Sequence, residues 1–425
     1  MIRVEQGNHR PPILVLVAIG IVVIATLSLI PFAIAPKTNA ERKEQPALAS
    51  TETTADSKLT LAGGAPEFDA AAWYASRGEA PETHGLIVES LDHNHVYASH
   101  NADVAFNPAS LIKLSTSLVA LKKLGADYRF KMRVFITGTI DNAGTLRGSI
   151  FLSGGDPTFG DVEANLIGNE LRKRGIKRIA ESINVAPDFC FNFSESPEDS
   201  GARLSRALRL GNPPVNVASE PVGQPAFLLS SHTLRELLLY MNARSSNFIA
   251  ERVGALVGGP IGIQEFLVNE LHLPPGEVTI ERASGREHNR MTPRDLTIVL
   301  RALIEEISRQ KLEPTDILPI ASDDNGTLKR RLGGTGLEGC VVGKTGTLTS
   351  EVDGGMASLA GIVYTKDAGM ILFAIMDQGN RIADYRQMED QLLSEIIATR
   401  ATPSPIANAN SRPLLPSANC SITNE

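Results

Sequence analysis

The first hydrophobic feature of the chain is a charge-free apolar run from Ile13 to Ala35, broken only by small or hydroxyl residues and Pro31. A bilayer core needs about 20 apolar residues in helix, whereas the apolar region of a cleaved signal spans about 7–15. The run therefore predicts a signal anchor at 13–35, with residues 1–12 cytoplasmic and the rest exported. Ala33-Ile34-Ala35 imitates a cleavage site, but Pro36 follows it directly; a cut after Ala40, releasing a signal peptide, is the alternative. Residues 36–66 lack periodicity, are rich in Ala, Thr, Ser, Glu and Lys, and read as a flexible linker.

Patterned sequence begins near Pro66. Gly85–Leu91 reads as a strand, with a short partner around Val96-Tyr97. Leu111, Leu114, Leu118 and Leu121 recur at the spacing of one helix face and predict a helix over 111–124. Phe130–Ile140 and Leu146–Ser153 read as strands around the turn Asp141-Asn142-Ala143-Gly144. A helix near Val162–Arg174 and a strand near Ile179–Val185 follow, and 190–225, with five prolines, reads as loop. Helical patterning returns at Leu234–Met241, Phe248–Val257, Ile261–Leu271 and Pro293–Ser308. Strands are expected at Gly339–Gly343, Ala357–Val363 and Met370–Met376, and a last helix at Ala383–Ala398. The pattern is an α+β core, 67–125 and 230–400, interrupted by a small α/β insert at 126–229. The Pro-, Ser- and Asn-rich tail 401–425 is expected to be disordered.

Composition narrows the function classes. Apolar residues make up 42% and charged residues 21%, enough for a sizeable core. The net charge of −7 supplies no basic field for nucleic acid. Cys190, Cys340 and Cys420 are too few and too scattered for a disulfide framework or metal site, although an oxidising compartment would permit one Cys190–Cys340 bridge. No metal or organic cofactor is expected.

Three short motifs carry candidate chemistry: Ser110-Leu111-Ile112-Lys113, Ser245-Ser246-Asn247 and Lys344-Thr345-Gly346. Singly, two of them are weak. Ser-x-x-Lys recurs at Ser308–Lys311, and Ser-x-Asn at Ser99, Ser182 and Ser417. Context separates the copies. Ser110 opens a helix, and Lys113 shares its face, where a neutral lysine can take the proton of a serine nucleophile. Ser245 and Asn247 lie between two helical runs, where a hydroxyl can relay a proton and an amide can hold the lysine and the substrate. Capping of the helix at Phe248 is the plain structural role of the same segment. Lys344 and Thr345 follow a short apolar strand; with Thr347 they can bind a free C-terminal carboxylate, while Gly346 lets substrate backbone lie against the strand edge.

The order of these motifs, with a long insert between the first two, resembles the penicillin-binding proteins. The chain is most similar to the class C, low-molecular-weight D-alanyl-D-alanine carboxypeptidase/endopeptidase family (peptidase family S13). Supporting stretches are Phe106–Ser110, Gly154–Pro157, Met241-Asn242 with Asn247–Glu251, Ala283–Gly285, Asn289–Pro293 and Gly326–Lys329. The resemblance spans roughly residues 80–395. It implies an antiparallel five-stranded sheet with helices, a helical lobe, and the site between them. It also implies Ser110 as nucleophile, Lys113 as base, Ser245 as proton relay, and Asn247, Lys344, Thr345, Gly346 and Thr347 as substrate-binding residues. The oxyanion hole would be the amides of Ser110 and Thr347. Peptidoglycan stem peptides would be the substrate, β-lactams covalent inhibitors, and the periplasm the location, with the 13–35 helix as membrane anchor. Departures are the shortened insert, Ala283 where the motif usually has glycine, and extra residues at Glu351–Gly355. A β-lactamase, recognised by fast deacylation, and a catalytically silent wall-binding scaffold are the competing readings.

Overall fold

The computed structural model describes residues 68–406, 412–415 and 420–425. The expected anchor 13–35 and linker 36–66 lie outside the described residues. Among the described residues no helix is long and apolar enough to cross a membrane.

The chain starts with a short helix α1 (Ala70–Ala75), a hairpin of β1 (His84–Ser90) and β2 (Val96–His100), and the helix α2 (Ile112–Leu124). Every residue of α2 from Ile112 to Leu121 is buried, so this is a central helix, and it ends at Gly125 in a positive-φ conformation. The insert follows: β3 (Arg129–Ile136), β4 (Thr139–Ile140), β5 (Thr145–Arg147), β6 (Ile150–Gly154), α3 (Asp161–Lys173), β7 (Arg178–Ile179), β8 (Ile183–Val185), α4 (Pro197–Leu208), β9 (Val215–Val217) and β10 (Gln224–Thr233). The chain then returns through α5 (Leu234–Arg244), α6 (Asn247–Leu256), α7 (Gly259–Asn269) and α8 (Pro293–Arg309). It finishes with β11 (Val341–Leu348), β12 (Met356–Tyr364), β13 (Met370–Gln378), α9 (Ile382–Ala398) and β14 (Ser421–Asn424).

The N-terminal hairpin β1-β2 meets β11–β13 in one five-stranded sheet of order β11-β12-β13-β1-β2, with every neighbouring pair antiparallel. This sheet is covered on both faces, which is why β12 and β13 are almost wholly apolar and every residue of β1 is buried. Leu372, Ala374 and Met376 of β13 join the core formed by α2 and α8, whereas Ile371, Phe373 and Ile375 pack with Leu392, Leu393 and Ile396 of α9. Alternation along one strand thus fills two cores.

The insert builds a mixed six-stranded sheet, β14-β10-β3-β6-β8-β9, and a small sheet β4-β5-β7. Its own core sets Val134 and Leu152 against Ile167 and Leu171 of α3 and Leu204 and Leu208 of α4. Buried Asp156, just past β6, accepts from Ser231 Oγ at 2.9 Å and lies 2.6 Å from His232 Nδ1, tying β6 to β10.

Three local expectations are corrected. The stretch 190–225 is not all loop: Ser196 caps α4, its Oγ accepting from the Asp199 amide at 3.1 Å, and Pro197 occupies the first helical position. The long strands 130–140 and 146–153 each divide in two, because the chain leaves one sheet for the other between Ile136 and Thr139 and between Arg147 and Ile150. The tail is not wholly without order, since Ser421–Asn424 pairs antiparallel with β10 from Ser230 to Phe227. The three cysteines are free, with Cys190 and Cys340 both buried.

Candidate active site

Ser110 is placed by the segment before it. Phe106 exchanges backbone hydrogen bonds with Met291 at 3.0 and 3.1 Å, and Asn107 Oδ1 accepts from the Ala109 amide at 3.1 Å. Ala109 takes a left-handed φ of 52°, and a 3-10 turn, Ala109–Leu111, carries Ser110 into α2. One turn on, fully buried Lys113 places its Nζ 2.9 Å from Ser110 Oγ, 2.8 Å from Asn247 Oδ1 and 2.5 Å from the Ser284 carbonyl.

Ser245 ends α5 in a left-handed conformation, φ 53°, and Ser246 caps α6 through its Oγ and the Ile249 amide. The cap and the catalytic-looking pair are therefore both present: Ser246 serves the helix, while Ser245 and Asn247 face the two lysines. Lys344, on β11, donates to Ser245 Oγ at 2.9 Å and to the Thr345 carbonyl at 2.5 Å. Thr345 Oγ1 bonds Thr327 Oγ1 at 2.7 Å, and Thr347 Oγ1 accepts from Arg386 of α9 at 2.7 Å. A Cβ on Gly346 would stand 2.1 Å from Ser358 Oγ and 2.8 Å from the Pro108 carbonyl, so only glycine lets β11 lie this close to the Ser110 turn.

Burial governs the charge of both lysines. It pushes the Lys113 ammonium from its ordinary 10.5 down to about 7, with Glu251 opposing the shift and Arg286 adding to it. Burial and then the charge of Lys113 hold Lys344 well below its ordinary value. A neutral amine has two N–H bonds and one lone pair. At Lys113 the Asn247 oxygen and the Ser284 carbonyl can only accept, so they take the two hydrogens and leave the lone pair facing the Ser110 hydroxyl. Such an arrangement can act as a serine nucleophile with its base in place. Ser110, Ser245, Asn247, Thr345 and Thr347 line one cleft of about 820 Å³.

The sequence matches the profile of the D-Ala-D-Ala carboxypeptidase 3 (S13) family over residues 73–196 and 188–397. The chain belongs to this family. Its members are serine-type D-Ala-D-Ala peptidases. No curated protein matches the sequence. Among solved structures, the predatory endopeptidase Bd3459 of Bdellovibrio bacteriovorus, in complex with the immunity protein Bd3460, is similar over 80% of this chain and 99% of its own, at 21% identity and TM-score 0.67. Penicillin binding protein 4 of Haemophilus influenzae is similar over 74% and 96%, at 20% identity and TM-score 0.62. These likenesses show the penicillin-binding-protein fold, as the motif order implied.

The S13 site also contains residues to which sequence reasoning gave no role. Ser284 supplies the carbonyl below Lys113 and is held by Glu251 Oε1, which accepts from its amide at 3.0 Å. Thr327 braces Thr345, and Arg386 reaches Thr347. Asp353, within the extra residues after the third motif, accepts from Asn107 Nδ2 at 2.7 Å and from Arg290 at 2.8 Å. The first two lie in stretches already matched to the family, Ala283–Gly285 and Gly326–Lys329. Arg386 carries no local motif. The second Ser-x-x-Lys is separate from the site: Ser308 is exposed near the end of α8, and Lys311 lies beyond the helix.

Proposed function

We propose that Ser110 is acylated by the penultimate D-Ala carbonyl of peptidoglycan stem peptides, releasing terminal D-Ala, and that water then hydrolyses the acyl-enzyme. The observation that carries this reading is the buried Lys113 amine, 2.9 Å from Ser110 Oγ, with its other two partners restricted to accepting. Lys113 takes the hydroxyl proton as Oγ attacks. Ser245, between the cleft and Lys344, passes a proton to the departing amine. Lys344, Thr345 and Thr347 bind the terminal carboxylate, Asn247 orients the substrate, and the amides of Ser110 and Thr347 receive the oxyanion. Gly346 leaves the strand edge open to substrate backbone. β-Lactams acylate the same serine; support comes from the penicillin G acylated form of the relative Bd3459. The apolar run 13–35 and a wall substrate support an extracytoplasmic domain anchored in the inner membrane.

The test is incubation of the protein with fluorescent penicillin, following bound label by gel and mass spectrometry. A lasting adduct on Ser110, absent from Ser110→Ala, is expected. Rapid drug turnover without an adduct would make the protein a lactamase, and no reaction would leave a silent scaffold.

A further inference from the structure

Two hydroxyls of the cleft are held from outside β11. Thr345 Oγ1 donates to Thr327 Oγ1, on the loop 326–332, and Thr347 Oγ1 accepts from Arg386 of α9. These supports lie far apart in the sequence, yet they meet at one buried side chain. Arg331 belongs to the same loop as Thr327 and reaches into α9. Its Nε donates to Asp390 Oδ1 at 2.8 Å, and its Nη2 donates to Glu389 Oε2 at 2.6 Å and to the Arg386 carbonyl at 3.1 Å. The Leu332 amide adds a bond to Asp390 Oδ2 at 2.9 Å. Arg386, Glu389 and Asp390 stand at i, i+3 and i+4, on one helix face. The start of the loop is fixed as well, because the Thr327 amide donates at 2.9 Å to the carbonyl of Ala243, two residues before Ser245.

Stability alone is a poor reason for this cluster. Glu389 is fully buried, and its Oε1 has no hydrogen-bond partner. Burial, opposed by Arg331 and reinforced by Asp377, pushes its carboxyl up to about 8. Apolar residues of the same volume often stabilise as well as a buried ion pair does, whereas the directed bonds of a guanidinium fork select one geometry. Direction is what the cleft uses. A fork that holds two carboxylates and a carbonyl of one helix fixes the rotation and depth of α9 against the loop. We propose that Arg331 is a positioning residue for the pocket that takes the terminal carboxylate, locking loop 326–332 to α9 so that Thr345 and Thr347 present their hydroxyls together. The role rests on the reading of Lys344, Thr345 and Thr347 as that pocket, and supplies what holds it in shape. Arg331 acts through Thr327 and Arg386 rather than on the substrate. Lys113 bonds Ser110, Asn247 and Ser284, none of them on the loop or α9, so the nucleophile and its base are held independently.

The test compares benzylpenicillin with its methyl ester, which differ only in whether the carboxylate is free. The rate constant for adduct formation on Ser110 is measured for each by mass spectrometry. Wild-type protein should prefer the acid. Arg331→Lys keeps the charge but not the fork, and should slow the acid at least about ten-fold while the ester stays within about two-fold. A purely structural loss would slow both alike, so the acid-to-ester ratio isolates the pocket. Should Arg331→Lys fail to fold, Asp390→Asn is measured instead; this position is partly exposed, and the change weakens the grip on Arg331 and on the Leu332 amide. Its ratio should fall about three-fold or more, as expected for a weakened charge-assisted bond. An unchanged ratio in the folded variant, or equal slowing of the two compounds, overturns the positioning role and leaves the carboxylate pocket standing. A wild-type protein without preference for the acid overturns the pocket and the role with it. Absence of any adduct overturns the Ser110 reading as well.

Discussion

Asn247 presents its side-chain oxygen to the Lys113 nitrogen at 2.8 Å from the first turn of a helix 134 residues further along the chain. Because that oxygen only accepts, it fixes one N–H of Lys113 and with it the direction of the lone pair. Acylation should therefore rise with pH as Lys113 loses its proton, with a midpoint near the value of about 7 set by burial. Asn247→Asp replaces the amide by a carboxylate in contact with the amine, which favours the charged form and should move the midpoint upward by about 1–3 pH units. The rate of penicillin labelling from pH 5 to 10 measures it. An unmoved midpoint in the variant would mean that a group other than Lys113 limits acylation.

Lys344 makes a different prediction, because it is the lysine proposed to bind carboxylate, and burial and then the charge of Lys113 hold it well below its ordinary value. A bound carboxylate favours the charged form and raises its pKa. Ligand binding should then draw a proton from solvent at pH values between those of the free and occupied site. Titration calorimetry of a carboxylate-bearing peptide with Ser110→Ala protein, repeated in buffers of different ionisation enthalpy, reads the proton count directly. Uptake approaching one proton is expected, and Lys344→Met should abolish it. Zero uptake at every pH from 6 to 9 contradicts the account.

Asp353 holds the loop between β11 and β12 to the segment that carries Ser110. Its carboxylate accepts from Asn107, Arg290 and His288, and Asn107 in turn accepts from the amide of Ala109. The Arg290 hydrogen bond, with those from Asn107 and His288, holds the Asp353 carboxyl well below the usual carboxylate range. A depressed folded-state value means a contribution to stability that is present above the ordinary 3.8 and lost as pH falls through the folded value. Asp353→Ala should lower Tm at pH 7, approach the wild type at strongly acid pH, and slow acylation about ten-fold by releasing Asn107, since losing a charge-assisted hydrogen bond costs about 1.5–3 kcal/mol. A pH-independent Tm difference would show that the carboxylate charge does not matter.

The centre of this site was legible because its parts are short and local. Ser110 and Lys113 are one helical turn apart, Ser245 to Asn247 span one helix junction, and Lys344 to Thr347 are consecutive on one strand. Asp353 and Arg386 were not, because each acts from a separate element whose spacing shows only a loop or a helix face. In the fold, β12 and β13 of the five-stranded sheet read clearly, since burial on both faces makes them nearly continuous apolar runs. The missed α4 and β10 have a common cause. In the sequence Pro197 and Pro225 read as breakers, yet the first occupies the opening turn of a capped helix, and the second lies at the start of a strand where the register shifts between Pro225 and Phe227. The strand β14 was hidden by a tail whose composition resembles disorder, since only its partner β10 gives it a reason to be extended.

Gly285 tests how tightly the Ser110 turn is clamped. Its φ is +84°, and a Cβ there would lie 1.9 Å from the Ala109 carbonyl oxygen and 3.0 Å from the Ser110 Cα. Backbone, not a flexible side chain, occupies that space, so the turn itself must move to admit a methyl group. Gly285→Ala should cost about 3 kcal/mol, combining an unfavourable positive φ with overpacking. It should also reduce acylation by more than its stability loss explains, because Ser110 and the Ser284 carbonyl below Lys113 are displaced together. Gly276→Ala is the control, since a Cβ at that position meets nothing within 4 Å. Chemical denaturation and penicillin labelling of both variants decide the matter. If Gly285→Ala unfolds and labels like Gly276→Ala, the close packing of this loop against the nucleophile is not what holds Ser110 in place.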